Sequence, residues 1–103
     1  MNYSSNADSG NEDFAFQLFV AGEERHSDEA KHNLTQICES HIKGRYEIQV
    51  VDVFKSFDLA LENSIFLTPA LIRISPRPQI TIYGTLSDTE KVLKAVGIER
   101  NRQ

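Results

Sequence analysis

The amino-acid sequence predicts an α/β domain with the element order β-α-β-α-β-β-α. Apolar residues alternate along residues 14–20, and a second apolar run covers residues 46–54, so both stretches favour strands. Between them, residues 27–43 carry apolar side chains at helical spacing and end in Lys43-Gly44, a common helix stop. We expect the two strands to be parallel, because a helix separates them in the chain.

The second half of the chain predicts a hairpin followed by a helix. Residues 70–75 and 79–83 read as antiparallel strands around Pro76-Arg77-Pro78, whose prolines favour a turn. Residues 87–96 read as a helix that begins with a capping box between Ser87 and Glu90, and Ser27 is the expected cap of the first helix. Residues 55–63 fit one or two helical turns, whereas residues 64–67 fit helix, strand or loop.

Length and composition predict one domain, residues 14–98, with a tail on each side. The chain has 103 residues and a net charge of −4, and residues 1–13 carry −3 of it through Asp8, Glu12 and Asp13, leaving −1 for the rest. We expect residues 1–13 to be a disordered acidic tail, because they are too polar to form a core. Residues 99–103 form a short basic tail.

The charge pattern and the single cysteine limit the location and the partners of the protein. Basic residues are spread along the chain, and without a concentrated positive field we expect no nucleic-acid partner. No apolar run approaches the roughly 20 residues of a membrane span, and no signal peptide is recognisable. A lone cysteine cannot close an internal disulfide, so a cytoplasmic location is the simplest expectation.

The predicted element order, with Thr68-Pro69 immediately before the third strand, is that of a thioredoxin-like domain. A thioredoxin carries a Cys-x-x-Cys motif where the first strand meets the first helix, but residues 21–27 here read Ala-Gly-Glu-Glu-Arg-His-Ser. We therefore expect a binding module with no catalytic residue, no cofactor and no metal. Cys38 falls on the apolar stripe of the first helix and is expected to be a packing residue. Asp52 is expected to bond the turn that follows its strand.

Lys43, Arg45 and Lys55 bracket the predicted second strand. Two interpretations stay open for these residues: ordinary solvated charges, or a cationic edge that meets an acidic partner surface. They are the candidate partner-binding residues.

Four short motifs in register resemble the KaiB family of circadian clock proteins. They are residues 19–22 (Phe-Val-Ala-Gly), 50–55 (Val-Val-Asp-Val-Phe-Lys), 68–71 (Thr-Pro-Ala-Leu) and 84–93, which contains Gly-x-Leu-Ser and Glu-Lys-Val-Leu. The resemblance runs from about Phe14 to Ile98. Lys43 and Lys55 match lysines of the family.

The resemblance implies a non-enzymatic adaptor of the circadian clock. Its expected partners are a KaiC-type ATPase hexamer, whose phosphorylation cycle it modulates, and a KaiA-type protein captured afterwards. The family also implies two folds. A resting tetramer has a rearranged C-terminal half, and a thioredoxin-like monomer binds the partner. Thr68, Pro69, Gly84 and Thr85 are the expected fold-switch residues.

The chain also departs from the family pattern at several positions. Gln17 and Glu29 stand where basic residues are usual, and Thr85 stands where an Asp is usual. These differences favour a divergent paralogue, because lost charges on an interface weaken or redirect binding. The alternatives are a thioredoxin-like sensory domain of the kind fused to clock-output histidine kinases, acting in trans, and a chaperone-like stress-response protein outside the oscillator.

Overall fold

The fold was analysed in a computed structural model, which describes residues 13–99. Four strands and three helices follow one another in the predicted order. The strands are β1 (Phe14–Val20), β2 (Tyr46–Asp52), β3 (Ala70–Ser75) and β4 (Ile80–Tyr83), and the helices are α1 (Arg25–His41), α2 (Phe57–Glu62) and α3 (Thr89–Val96). Apart from Asp13 and Glu99, the two predicted tails lie outside the described residues, so both stay predictions.

The four strands form one sheet in the order β2-β1-β3-β4. β1 and β2 are parallel, with Leu18 opposite Val50, which confirms the expected crossover through α1. β3 runs antiparallel to β1, and β4 runs antiparallel to β3, which confirms the predicted hairpin. β1 is therefore central, and β2 and β4 are the two edge strands.

The two faces of the sheet are covered unequally. We call the face packed against α1 and α3 the closed face, and the face packed against α2 the open face. The closed face contributes the alternate β1 residues to a large core cluster, which also contains Leu34, Cys38 and Val96 from the helices. The open face contributes Phe19 to a smaller cluster with Val51, Ala60, Ile65, Ala70 and Ile72. Aromatic residues on both faces of β1 had predicted this double coverage.

The starts of two helices differ from the sequence-based prediction. α1 begins at Arg25, and its cap is Glu24, whose carboxylate accepts from the Ser27 amide at 3.2 Å. Ser27 is instead fully buried inside the first turn, where its hydroxyl accepts from the Ala21 amide at 3.2 Å. The prediction of Ser27 as the cap was wrong, because the helix begins two residues before Ser27 and the Glu24 carboxylate caps its first turn.

The cap of α3 is also displaced from its predicted position, here by one residue. Its cap is Asp88, whose carboxylate accepts from the Lys91 amide at 3.3 Å, so the expected capping box at Ser87 is wrong. The Ser87 hydroxyl lies 3.3 Å from the Thr85 hydroxyl. α3 ends at Gly97, whose φ of 78° is left-handed. A Cβ at that glycine would lie 3.1 Å from the Arg73 guanidinium, so both backbone angle and space favour glycine there.

Candidate interaction surface

Five large apolar side chains are exposed within residues 54–67, on α2 and the loops that flank it. We call this set the apolar patch; its members and exposed fractions are Phe54 76%, Phe57 62%, Leu61 51%, Phe66 76% and Leu67 67%. α2 spans only Phe57–Glu62 and buries Ala60 against the open face. Phe57 and Leu61 are four residues apart and share one side of the helix. A helix this short covers a small area, so its other side faces solvent.

Asp52 connects two turns at the end of the sheet that lies beside the apolar patch. Its carboxylate oxygen Oδ1 accepts from the Gly22 amide at 3.2 Å and from the Phe54 amide at 2.9 Å. These bonds join the turn after β1 to the turn after β2 and orient the backbone at Phe54. The prediction that Asp52 bonds its following turn is confirmed.

The start of α1 occupies the place where a thioredoxin carries its two thiols. Amides in the first turn of a helix have no partner within the helix, and here the Glu24 carboxylate accepts hydrogen bonds from them. The pKa of Glu24 is held below its usual value, mainly by a hydrogen bond from the His26 backbone amide, with a further bond from the Ser27 amide. The Nδ1 atom of His26 also lies 2.9 Å from the Glu24 carboxylate. This turn therefore carries a hydrogen-bonded carboxylate where a thioredoxin carries its dithiol.

Cys38 is fully buried in the large cluster. Burial raises the pKa of its thiol to about 12, so the thiolate needed for nucleophilic chemistry is scarce at neutral pH. Its place in the core confirms the packing role. Within residues 13–99 we find no group of three or more His, Cys, Asp or Glu side chains placed to hold a metal ion.

The expected fold-switch residues lie together at the base of the β3–β4 hairpin. The Thr68–Pro69 peptide is cis, and the Pro69 carbonyl accepts from the Gly84 amide at 3.0 Å. The Thr85 carbonyl accepts from the Asn33 side-chain amide of α1 at 2.9 Å. Antiparallel pairing thus brings together two dipeptides that are distant in sequence. Their role in a fold switch stays a prediction.

The three candidate partner-binding cations do not form one cluster. Lys43 and Arg45 lie before and at the start of the edge strand β2, whereas Lys55 follows its end. A seven-residue strand separates them by roughly 20 Å. Lys55 directly follows Phe54 and so borders the apolar patch, whereas Lys43 and Arg45 lie at the opposite end of the β2 edge.

Three features of this site were missed by the sequence analysis. Arg73 is 92% covered in the hairpin, with its guanidinium donating to the Val96 carbonyl at 2.7 Å and the Pro78 carbonyl at 2.6 Å. Glu24 was missed as a cap, although a carboxylate three residues before Ser27 was the available signal. The exposure of the apolar patch had no signal beyond the spacing of Phe57 and Leu61.

These observations define a class of protein: a thioredoxin-like domain without the redox dithiol. Solved structures agree on the fold. The N-terminal domain of Synechococcus elongatus SasA matches with a TM-score of 0.69 and 20% identity over 93% of this chain and 94% of that domain. Chloroplastic thioredoxin z matches with a TM-score of 0.69 and 21% identity over 84% of this chain and 77% of that one.

Sequence relatives identify the family. The model of the KaiB domain matches residues 17–98. Two relatives described as circadian clock oscillator protein KaiB come from Prochlorococcus marinus strain NATL2A, with 46% identity, and Rippkaea orientalis, with 44%. Each alignment covers 78% of this chain, and 75% and 77% of the two relatives. The chain belongs to the KaiB family of circadian clock proteins.

No helix within residues 13–99 has both the length and the apolar character that crossing a membrane requires.

Proposed function

We propose that this KaiB family member is a non-enzymatic adaptor that binds a KaiC-type hexameric ATPase ring and modulates its phosphorylation cycle. The observation that carries the proposal is the apolar patch on and around α2. Large exposed apolar surfaces on small domains mark interaction sites. Burying one such Phe side chain in an interface contributes about 1.5–3 kcal/mol, so the patch supplies enough free energy for a specific contact.

In this proposal Lys55 contacts the ring, whereas Lys43 and Arg45 contact a second partner. Lys55 borders the apolar patch and adds electrostatic attraction at the rim of the ring contact. Lys43 and Arg45 flank the outer edge of β2, which has no strand partner among residues 13–99. An edge strand accepts a partner strand through its free amides and carbonyls. We assign this edge to the KaiA-type partner, captured while the ring is bound.

We also propose that the thioredoxin-like arrangement is one of two states, the other being a tetramer with a rearranged C-terminal half. Thr68, Pro69, Gly84 and Thr85 would be the residues at which the chain rearranges. Among residues 13–99, a bond from the Asn33 side chain to the Thr85 carbonyl links the hairpin base to α1. Bistable elements of this kind differ by only a few kcal/mol between their packings.

Native mass spectrometry with a KaiC-type hexamer carrying phosphomimetic residues tests the adaptor. We expect a tetramer alone, and ring-bound monomers, up to one per ATPase subunit, when the hexamer is present. Absence of ring-bound copies in every phosphorylation state would refute the ring partner. Suppression of a client protein's aggregation without ring binding would instead favour the chaperone-like alternative.

Variants then locate the contact. Phe57→Ser with Phe66→Ser should abolish ring binding while the protein stays folded, because both side chains are already exposed. Gln36→Ser on the exposed side of α1 is the matched control and should bind as the wild type does. Lys55→Ala should weaken binding by up to about fivefold, because an exposed charge pair contributes about 0.2–1 kcal/mol. Equal binding by all of these variants would move the contact elsewhere on the domain.

A further inference from the structure

A second surface lies on the other side of the molecule, between the edge strand β4 and α3. It is a groove of about 570 Å³, which we call the β4–α3 groove. Its apolar lining comes from Ile82, Leu86 and Val92, and the exposed side chains of Lys91 and Lys94 lie along it. A volume of this order is typical of binding clefts. Because α3 packs on the closed face, this groove is separate from the apolar patch.

The backbone of β4 is open on the side of the groove. Gly84 donates its amide to the Pro69 carbonyl across the β3–β4 ladder. In an antiparallel ladder, bonding alternates between residues, so Ile82 and Ile80 point their amides and carbonyls toward β3. Thr81 and Tyr83 therefore point theirs outward. No strand within residues 13–99 pairs with that edge, which leaves a row of donors and acceptors for another chain.

The loop that forms one end of the groove is held in a strained conformation. Leu86 has a φ of 64°, in the left-handed region that a branched residue rarely adopts. The loop is fixed by the bond from Asn33 to the Thr85 carbonyl, and Leu86 is 94% covered. Backbone strain of this kind concentrates at ligand-binding sites, where the surrounding structure holds it.

Charge decides which occupant fits the β4–α3 groove. Lys91 and Lys94 lie three residues apart on α3, and the Asp88 carboxylate, which also lines the groove, is engaged as the helix cap. A second copy paired with β4 across a two-fold axis would bring both lysine pairs together, and that like-charge contact is unfavourable. An extended segment with carboxylates meets the lysines favourably and supplies the missing strand.

We propose that the β4–α3 groove binds an extended acidic peptide segment of a partner protein, which adds to the sheet as a fifth strand beside β4. Apolar side chains of the segment enter the groove, and a carboxylate between them meets Lys91 and Lys94. The free amides and carbonyls of Thr81 and Tyr83 bond the segment's backbone. This surface is additional to the proposed ring contact and to the β2 edge, so the domain can hold a third partner.

A synthetic peptide tests the groove directly. The probe is acetyl-Thr-Val-Thr-Glu-Thr-Val-Thr-amide, in which the two Val and the Glu share one side of a strand. Added to the uniformly ¹⁵N-labelled full chain, at a concentration low enough for the thioredoxin-like monomer to be populated, it should shift the amide resonances of residues 81–95 of that monomer and leave those of α2 unchanged. Lys91→Glu with Lys94→Glu should weaken its binding by roughly tenfold or more. Lys31→Glu on α1 is the matched control and should bind the probe as the wild type does.

Two further peptides separate the elements of the proposal. Replacing the central Glu of the probe by Lys should reduce binding at least as much as the double variant does. N-methylation of the Thr residues, which occupy every second position of the probe, should abolish binding, because it removes the backbone donors that face β4. Equal binding by the N-methylated peptide, or no shift of residues 81–95 with the original probe, would overturn the proposal. Ring binding by the Lys91→Glu, Lys94→Glu variant should be unchanged, so the two proposals fail independently.

Discussion

The closed and open faces of the sheet show two different uses of apolar residues. On the closed face, α1 and α3 cover the central strand, and residues such as Leu18 and Leu34 are at most 1% exposed. On the open face, α2 buries a small cluster around Phe19 and leaves Phe57 and Leu61 in solvent. Whether an apolar residue belongs to the core or to an interaction surface therefore depends on whether a helix covers it, and not on the residue type. Apolar residues beside a short helix remain available to a partner.

The largest expected effect tests the closed face. Leu34→Ala should lower the free energy of unfolding by about 3–5 kcal/mol, because it removes a fully buried side chain and leaves a cavity between α1 and β1. Urea unfolding followed by circular dichroism measures the change. Gln36→Ala, exposed on the same helix, should stay within about 0.5 kcal/mol of the wild type.

The corresponding substitution on the open face should cost less. Ile65→Ala should lower the free energy of unfolding by about 2 kcal/mol, because Ile65 lies in the smaller cluster, next to exposed residues that can relax into the space. The same unfolding experiment applies. A loss as large as that of Leu34→Ala would mean that the two faces contribute equally to stability, which would contradict the weaker cover of the open face.

Arg73 tests whether a buried cation also stabilises the closed face. Arg73→Met should lower the free energy of unfolding by about 1–3 kcal/mol, since the buried Val96 carbonyl loses its donor and has no access to water. The exposed Arg77→Met is the matched control and should be near neutral. Hydrogen exchange of the α3 amides should also accelerate in Arg73→Met, and unchanged exchange would contradict a role in holding α3.

The smallest expected effect concerns the start of α1, the long helix of the closed face. The folded pKa of Glu24 is lowered, so its contribution to stability is present above the ordinary Glu pKa of about 4.3 and is lost as pH falls through the folded value. Glu24→Gln should therefore be less stable than the wild type at about pH 7, and the difference should vanish once the pH has fallen below the lowered pKa of Glu24. A difference that persists unchanged in acid would exclude the carboxylate as its source.

Local patterns predicted most of the fold. The bounds of β1 and β3 match their predicted ranges, because period-two alternation and the neighbouring Gly and Pro residues act locally. β2 ends at Asp52 rather than at residue 54, since Asp52 turns the chain through its own side chain. The ambiguous residues 55–63 became α2 only because Leu59 and Ala60 find an apolar surface on the sheet.

The candidate site was less predictable from the pattern of residues. Lys43, Arg45 and Lys55 were recognised as a group, but the length of β2 places Lys55 beside the apolar patch and the other two at the far end. Arg73 reads as an ordinary surface charge in the sequence. Its burial depends on two carbonyls, Pro78 and Val96, that only the folded chain brings together.

The element order, the family and the absence of the Cys-x-x-Cys motif can be read from the sequence, because they depend on residue identity and short-range periodicity. Which apolar residues remain exposed, which strand edges stay unpaired and where the buried cation finds its acceptors depend on the folded chain. Burial and backbone pairing are set by neighbours in space, which need not be neighbours in the sequence. Phe19 and Phe57 have the same side chain, yet one is covered by α2 and the other faces solvent from it.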